Sequence, residues 1–130
     1  MVNLIWGVGL VAGWGAIMAQ DLSTTVRPPL PTPRILTYAM QGRPILQTKC
    51  VQAATTSLQN LGFTNLRSVG TDPDRSIYGY GEGTTGLIRC NSNLQLVLFV
   101  VSTVHSEVDT RTVGEMLVKE FARNTGIPSP

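Results

Sequence analysis

One histidine and two carboxylates lie close together in the last third of this 130-residue chain. His105, Glu107 and Asp109 occupy alternate positions, so an extended backbone would place all three on one face, where they could ligate a metal ion. On a helix, only His105 and Asp109 would align. Because the chain has a single histidine, we interpret the three as polar residues at the start of a helix. Negative side chains there interact favourably with the helix macrodipole. We therefore predict no metal site and no cofactor.

The chain has two cysteines, Cys50 and Cys90. In an exported protein, an even number of cysteines in a small domain indicates a disulfide. Closing a loop of about 40 residues would stabilise the fold by roughly 4 kcal/mol in the chain-entropy model. In the cytosol the two would be buried thiols, and a free Cys50 with His105 would have the residue types of a nucleophile and its base. We predict the Cys50–Cys90 disulfide, which excludes that pair.

The segment from Gly81 to Gly86 matches G-x-G-x-x-G. The dinucleotide-binding form of this motif requires a helix after the glycines, so that the helix N-terminus faces the pyrophosphate. Here the following residues favour a strand, and the Gly-Lys-Ser/Thr ending of a phosphate-binding loop is missing. The motif therefore predicts a glycine-rich hairpin corner and no nucleotide site.

Tyr78 and Tyr80 would share one face of a strand. Two aromatic rings on one face can form a stacking platform for bases, although packing within the sheet is the simpler interpretation. An enzyme would require a deep pocket that gathers His105, Glu107 and an arginine such as Arg89. No pair of carboxylates occupies a cleft-forming position in the sequence, so we predict that the protein is not an enzyme.

The charges are nearly balanced, with ten Lys and Arg against eight Asp and Glu. The excess positive charge lies on Arg27, Arg34 and Arg43, which are too widely spaced for the dense basic cluster typical of nucleic-acid binding. We therefore expect no nucleic-acid partner.

The chain begins with an uncharged apolar run from Val2 to Ala19. This run, residues 1–19, has the length of a signal peptide cleaved after Ala19, although no Lys or Arg precedes it and Ile17 is large for its position relative to the cleavage site. It also reaches the lower limit for a membrane-spanning helix, with Gly9 and Gly13 in a G-x-x-x-G pair. Both interpretations stay open: a signal peptide or a membrane anchor.

Residues 20–44 form a Pro-rich linker in this interpretation. Arg27 to Arg34 reads RPPLPTPR, which lacks the amide donors for a helix or an inner strand and favours polyproline II. Ile35 to Met40 is a short β-favouring run that can add an edge strand to the domain that follows.

The domain, residues 45–130, opens with a helix that Thr48 can cap. One face of this helix is apolar and ends before Gly62, which favours the left-handed conformation at a helix end. A final helix begins near Ser106, with Asp109 as its capping-box partner. The apolar face of the first helix comprises Cys50, Val51, Ala54, Leu58 and Leu61, and that of the last helix Val113, Met116, Leu117 and Phe121.

Between the helices, the sequence predicts antiparallel strands separated by turns. The strands are 63–69, 76–80, 87–90 and 94–102, and the continuous apolar character of the last marks it as buried in the centre of the sheet. The fold class is α+β: a small three- to four-stranded antiparallel sheet with two helices packed on one face, preceded by an N-terminal apolar helix and the linker.

The pattern C-V-x-x-A-x-x-x-L-x-x-x-G-F at Cys50–Phe63 resembles a group of small exported bacterial proteins of unknown function. So do the series Ser76–Gly79, Thr85–Cys90 and Leu98–Val101 before the final helix. This chain departs from the pattern at Thr84, where an aromatic residue is expected. The resemblance implies export, a Cys50–Cys90 bridge and the same order of elements, and it implies no activity.

These observations favour an exported, non-enzymatic binding or accessory module with a protein partner, in the periplasm or outside the cell. The alternative is a membrane-anchored structural subunit of a membrane protein complex, in which residues 2–19 are retained as a transmembrane helix and contact the membrane.

Overall fold

The computed structural model describes residues 33–105 and 108–128. They form an α+β domain of one antiparallel sheet and two helices, as the sequence predicts. In chain order, the elements are β1 (Arg34–Gln41), α1 (Gln47–Asn60), β2 (Thr64–Gly70), β3 (Asp74–Tyr80), β4 (Thr84–Asn91), β5 (Leu96–Thr103) and α2 (Thr110–Thr125).

The sheet has five strands in the order β1-β5-β4-β3-β2, so the prediction of three to four strands is wrong. The additional strand is β1, at the end of the segment predicted as linker. The β-favouring run Ile35–Met40 pairs with β5 over its whole length, from Arg34 opposite Thr103 to Gln41 opposite Leu96. Because β5 has backbone partners on both sides, it is an inner strand, as predicted.

Both helices pack on one face of the sheet, which we call the helix face. The rings of Phe99 on β5 and Phe121 on α2 meet edge to face, with centroids 5.2 Å apart. A Cβ placed on Gly86 of β4 would lie 3.0 Å from Leu58 of α1. These contacts place the hydrophobic core between the helices and alternate residues of the strands.

The first helix begins at Gln47, and its N-cap residue is Leu46, so the prediction of a Thr48 cap is wrong. A tertiary contact holds this end of the helix instead. The Gln47 side chain donates a hydrogen bond to the Cys90 carbonyl (3.0 Å) and accepts one from the Ser92 amide (3.2 Å). The other end agrees with prediction, because Gly62 follows the helix with a φ of 89°.

The second helix begins at Thr110, and Asp109 itself is the N-cap residue. Its carboxylate accepts hydrogen bonds from the Arg111 amide (3.0 Å) and the Thr112 hydroxyl (2.8 Å). Ser106, the predicted start, lies outside the described residues. Leu117 and Phe121 are buried as predicted, but Met116 is 48% exposed, because it lies at the margin of the apolar face.

The predicted disulfide joins Cys50 of α1 to Cys90 of β4, with a Cα–Cα distance of 6.1 Å. Both cysteines are buried, at 1% and 0% exposure. The bridge lies beside the Gln47 contact, so one end of α1 is tied to one end of β4 by a covalent bond and two hydrogen bonds.

The predicted signal peptide or anchor, residues 1–19, and the RPPLPTPR segment up to Thr32 lie outside the described residues. Within the described part of the chain, neither helix has the length and apolar character needed to cross a membrane.

Reduction of the Cys50–Cys90 bridge is expected to lower the free energy of unfolding by about 4 kcal/mol, because the bond closes a long loop in the unfolded chain. The measurement is urea unfolding of the chain with and without reductant, with the Cys50→Ala/Cys90→Ala variant as the control that reductant leaves unchanged. Equal midpoints for the oxidised and reduced wild-type chains would contradict the prediction.

Candidate functional site

Neither helix of the described residues packs on the second face of the sheet, which we call the open face. Side chains alternate along each strand, so the residues between the core positions point to this side. The cross-strand pairs Tyr78–Leu87, Leu87–Val100 and Arg89–Leu98 show that these side chains form continuous rows across the strands. The open face comprises Ile35, Thr37, Ala39 and Gln41 of β1, Thr64, Arg67 and Val69 of β2, Asp74, Ser76, Tyr78 and Tyr80 of β3, Thr85, Leu87, Arg89 and Asn91 of β4, and Leu96, Leu98, Val100 and Ser102 of β5.

The centre of the open face is apolar. Leu87, Leu98 and Val100 are half-buried and do not belong to the hydrophobic core. The burial of β5 alternates strictly along the strand, so its continuous apolar run is covered on one side only. That run is typical of a strand covered on both faces. The sequence thus provides apolar residues for a second layer that the described part of the chain does not supply.

An ion pair borders the apolar centre, where Arg89 lies between Leu98 and Ser76. Arg89 binds Asp74 with both ends of its guanidinium group, Nε to Oδ1 at 2.7 Å and Nη2 to Oδ2 at 2.6 Å. The hydrogen bond from Arg89 lowers the pKa of Asp74 below its ordinary value, with smaller contributions from the Arg89 charge and from Asn91, while Asp74 raises the pKa of Arg89. Both side chains are a little more than one-third exposed, so the pair is accessible to a partner.

Tyr78 and Tyr80 share the open face, as predicted. Their ring centroids are 6.0 Å apart and the rings are nearly perpendicular, at 89°. Perpendicular rings do not provide two parallel surfaces on which successive bases could stack. They do add rigid aromatic area beside Leu87.

The glycine-rich segment forms the β3–β4 turn, and β4 follows it, as the sequence indicates. The Gly81 amide donates to the Thr84 carbonyl (2.7 Å), and Gly83 adopts a φ of 65°. The turn is shorter than predicted, because the strand begins at Thr84 instead of Leu87. Thr84 is buried and its hydroxyl lies 3.2 Å from that of Thr103, so a hydrogen-bonded pair occupies the position where an aromatic residue was expected.

The three residues of the metal hypothesis have separate positions. Asp109 caps α2, His105 is exposed with its ring against Gly83, and Glu107 lies outside the described residues. Within 33–105 and 108–128, no group of three His, Cys, Asp or Glu side chains is arranged to hold a metal ion. Cys50 is bonded to Cys90, so it has no thiol to pair with His105.

A small apolar cleft of about 330 Å³ lies beside the β3–β4 turn. Its walls come from the end of α1, the turn and the start of α2, and Glu82 is the ionisable side chain among its described lining residues. Neither His105 nor Arg89 lines it, so it does not gather the residues of the enzyme hypothesis. The lining residues are Leu61, Gly62, Phe63, Gly81, Glu82, Thr84, Val108, Val113 and Met116.

Sequence reasoning missed the open face as a site. The signal that would have revealed it is the continuous apolar run in residues 94–102, because such a run suits burial on both faces of a sheet. The two helices that the structure describes, of 14 and 16 residues, both pack on one face of the five-stranded sheet.

No known protein-family model matches this chain, and a search of characterised proteins finds no significant match. The resemblance to small exported bacterial proteins therefore stays a prediction.

The Arg89–Asp74 pair gives a pH-dependent contribution to stability whose sign follows from the lowered pKa of Asp74. The stabilising contribution of the pair is fully present above pH 3.8, the ordinary pKa of an aspartate side chain. It is lost as the pH falls through the lower pKa that Asp74 has in the folded state. The Asp74→Asn variant is therefore expected to be less stable than wild type at pH 7, with a difference that shrinks below pH 3.8.

Chemical denaturation of both proteins between neutral and acidic pH measures this difference. The matched control is Asp72→Asn. Asp72 is fully exposed and lies 3.8 Å from Arg75, so solvent screens this ion pair and it should contribute less to stability than the Arg89–Asp74 pair. A difference for Asp74→Asn that grows as the pH falls would contradict the prediction.

Proposed function

We propose that this chain is an exported, non-enzymatic binding module that contacts a protein partner through the open face of its sheet. The observation that carries the proposal is the row of half-buried apolar side chains, centred on Leu87, Leu98 and Val100, that neither helix in 33–105 and 108–128 covers. Large exposed apolar patches on soluble domains commonly mark interaction sites.

The chemistry of the open face favours a protein partner. Tyrosine and arginine are enriched among the residues that dominate binding energy, and here Tyr78 and Arg89 flank the apolar centre. Arg89 is already oriented by Asp74, so it would lose little side-chain freedom when a partner binds.

The dimensions of the open face also suit a protein interface. Five strands about 4.8 Å apart and about eight residues long span roughly 600 Å². A partner of equal area would bury about 1,200 Å² in total, at the lower end of specific interfaces. We therefore expect a moderate affinity, which a larger contact surface would increase.

The Cys50–Cys90 bond supports the exported location, because disulfides persist in oxidising compartments such as the periplasm and the extracellular space. Two forms of the exported protein are compatible with residues 1–19: a domain released after Ala19, or a membrane-anchored subunit that keeps the apolar run. The intact mass of the chain isolated from its own cells distinguishes them, because cleavage removes nineteen residues.

The test of the binding surface is photo-cross-linking in the native cells. A benzoylphenylalanine at Leu98 is expected to form a covalent adduct with a protein of defined mass. The same group at Met116, an exposed apolar position on α2, is the matched control and is expected to give no such adduct. The Leu87→Lys variant should reduce the Leu98 adduct at least tenfold, because it places a charge in the centre of an apolar interface.

Circular dichroism and thermal unfolding show whether each variant is folded. Absence of any adduct from Leu98 in folded protein, or equal adducts from Leu98 and Met116, would overturn the open face as the binding surface.

A further inference from the structure

The two edges of the sheet differ in how well they are protected from pairing with another strand. At the β2 edge, the register with β3 shifts between Thr64 and Arg67, and Asn65 adopts a φ of 54°. A bulge and a charged side chain are two common ways of preventing an edge from accepting a further strand. The β2 edge is therefore protected.

Within the described residues, the β1 edge has no bulge, and its one charged residue is Arg34 at the start of the strand. Its eight residues keep an unbroken register with β5, and the stretch from Ile35 to Gln41 contains no charge and no proline. Among the described residues, β5 is its one strand neighbour. Ile35 is 65% exposed, which is high for a large apolar residue of a strand. A regular, uncharged edge of this length is a template for a further strand.

The second helix supports β1 from the helix face and does not take the place of the missing strand. A Cβ placed on Gly114 of α2 would lie 2.8 Å from the Tyr38 ring and 2.9 Å from Leu36. The glycine thus lets the helix lie against the side chains of β1. The helix holds the strand in place in the sheet, and this prearrangement reduces the entropy lost when another strand pairs with it.

We propose that β1 pairs antiparallel with β1 of a second copy of this chain, which joins the two sheets into one of ten strands. Pairing around a twofold axis at Thr37 places Leu36 opposite Tyr38 and Ile35 opposite Ala39 of the other copy. Opposed residues then point to the same face, as antiparallel pairing requires. Arg34 lies opposite Met40, so the pairing brings no two like charges together.

The unequal edges explain why the assembly would stop at two copies. Pairing of β1 with β1 uses the same surface on both copies and closes on itself, whereas pairing of β1 with β2 would leave a free edge at each end and grow into a filament. The bulge and Arg67 at the β2 edge oppose that second mode. This inference does not depend on the proposed binding function, although it would place two open faces side by side.

The test is the molecular mass in solution of the oxidised chain as isolated from its cells, measured by sedimentation equilibrium. Wild type is expected to have twice the mass of one chain. The Thr37→Lys and Thr37→Glu variants are each expected to weaken association at least tenfold, because the twofold axis brings the new like charges together. An equimolar mixture of the two variants is expected to restore the dimer, because it brings opposite charges together.

The matched controls are Val69→Lys and Val69→Glu, which change a half-exposed residue of the β2 edge and should leave the dimer intact. The Leu87→Lys variant should also stay dimeric while losing the partner adduct from position 98, so failure of one proposal can be distinguished from failure of the other. A monomeric wild type at up to about 1 mM, the weak end of specific association, would overturn the dimer. So would a dimer that Thr37→Lys leaves unchanged or that Leu87→Lys dissociates.

Discussion

The Cys50–Cys90 bond constrains the rest of the structure, because it fixes the start of α1 against the end of β4. A domain of this size buries a small core, so a covalent constraint on the unfolded chain is a large part of its net stability. The bond and the Gln47 hydrogen bonds hold α1 on the helix face of the sheet. The second helix packs beside it against β1 and β5, so both helices and the whole core lie on that side.

An open face with an apolar centre follows from this arrangement. An inner strand such as β5, with apolar residues at consecutive positions, is suited to burial on both faces, but one layer of helices covers one side. The Arg89–Asp74 pair borders the remaining apolar area and satisfies both charges within the chain. The apolar centre and this polar margin together have the composition of a protein interface, an apolar core with a polar rim.

Local sequence patterns predict much of this fold. The features that they do not predict depend on contacts between residues that are distant in sequence. The apolar spacing in α1, the end at Gly62 and the hairpin after Tyr80 are local signals, and each has the expected outcome. The Thr48 cap is wrong because Gln47 bonds to residues more than 40 positions away. Likewise, the Arg89–Asp74 pair depends on the β3–β4 register, and the open face depends on where the helices pack. Neither feature can be deduced from neighbouring residues.

In the proposed function, the β1 edge and the open face have different roles. A face of roughly 600 Å² limits affinity, and the chain has no further elements among its described residues with which to enlarge it. Pairing of another strand with β1 enlarges the sheet, and with it the open face. It leaves the core unchanged, because α2 already packs against β1 through Gly114. A dimer would have two open faces. For a partner with repeated binding sites, binding to the first open face would raise the effective concentration at the second. The regular β1 edge and the bulged β2 edge are therefore consistent with a sheet that is extended by strand pairing at β1 and not at β2.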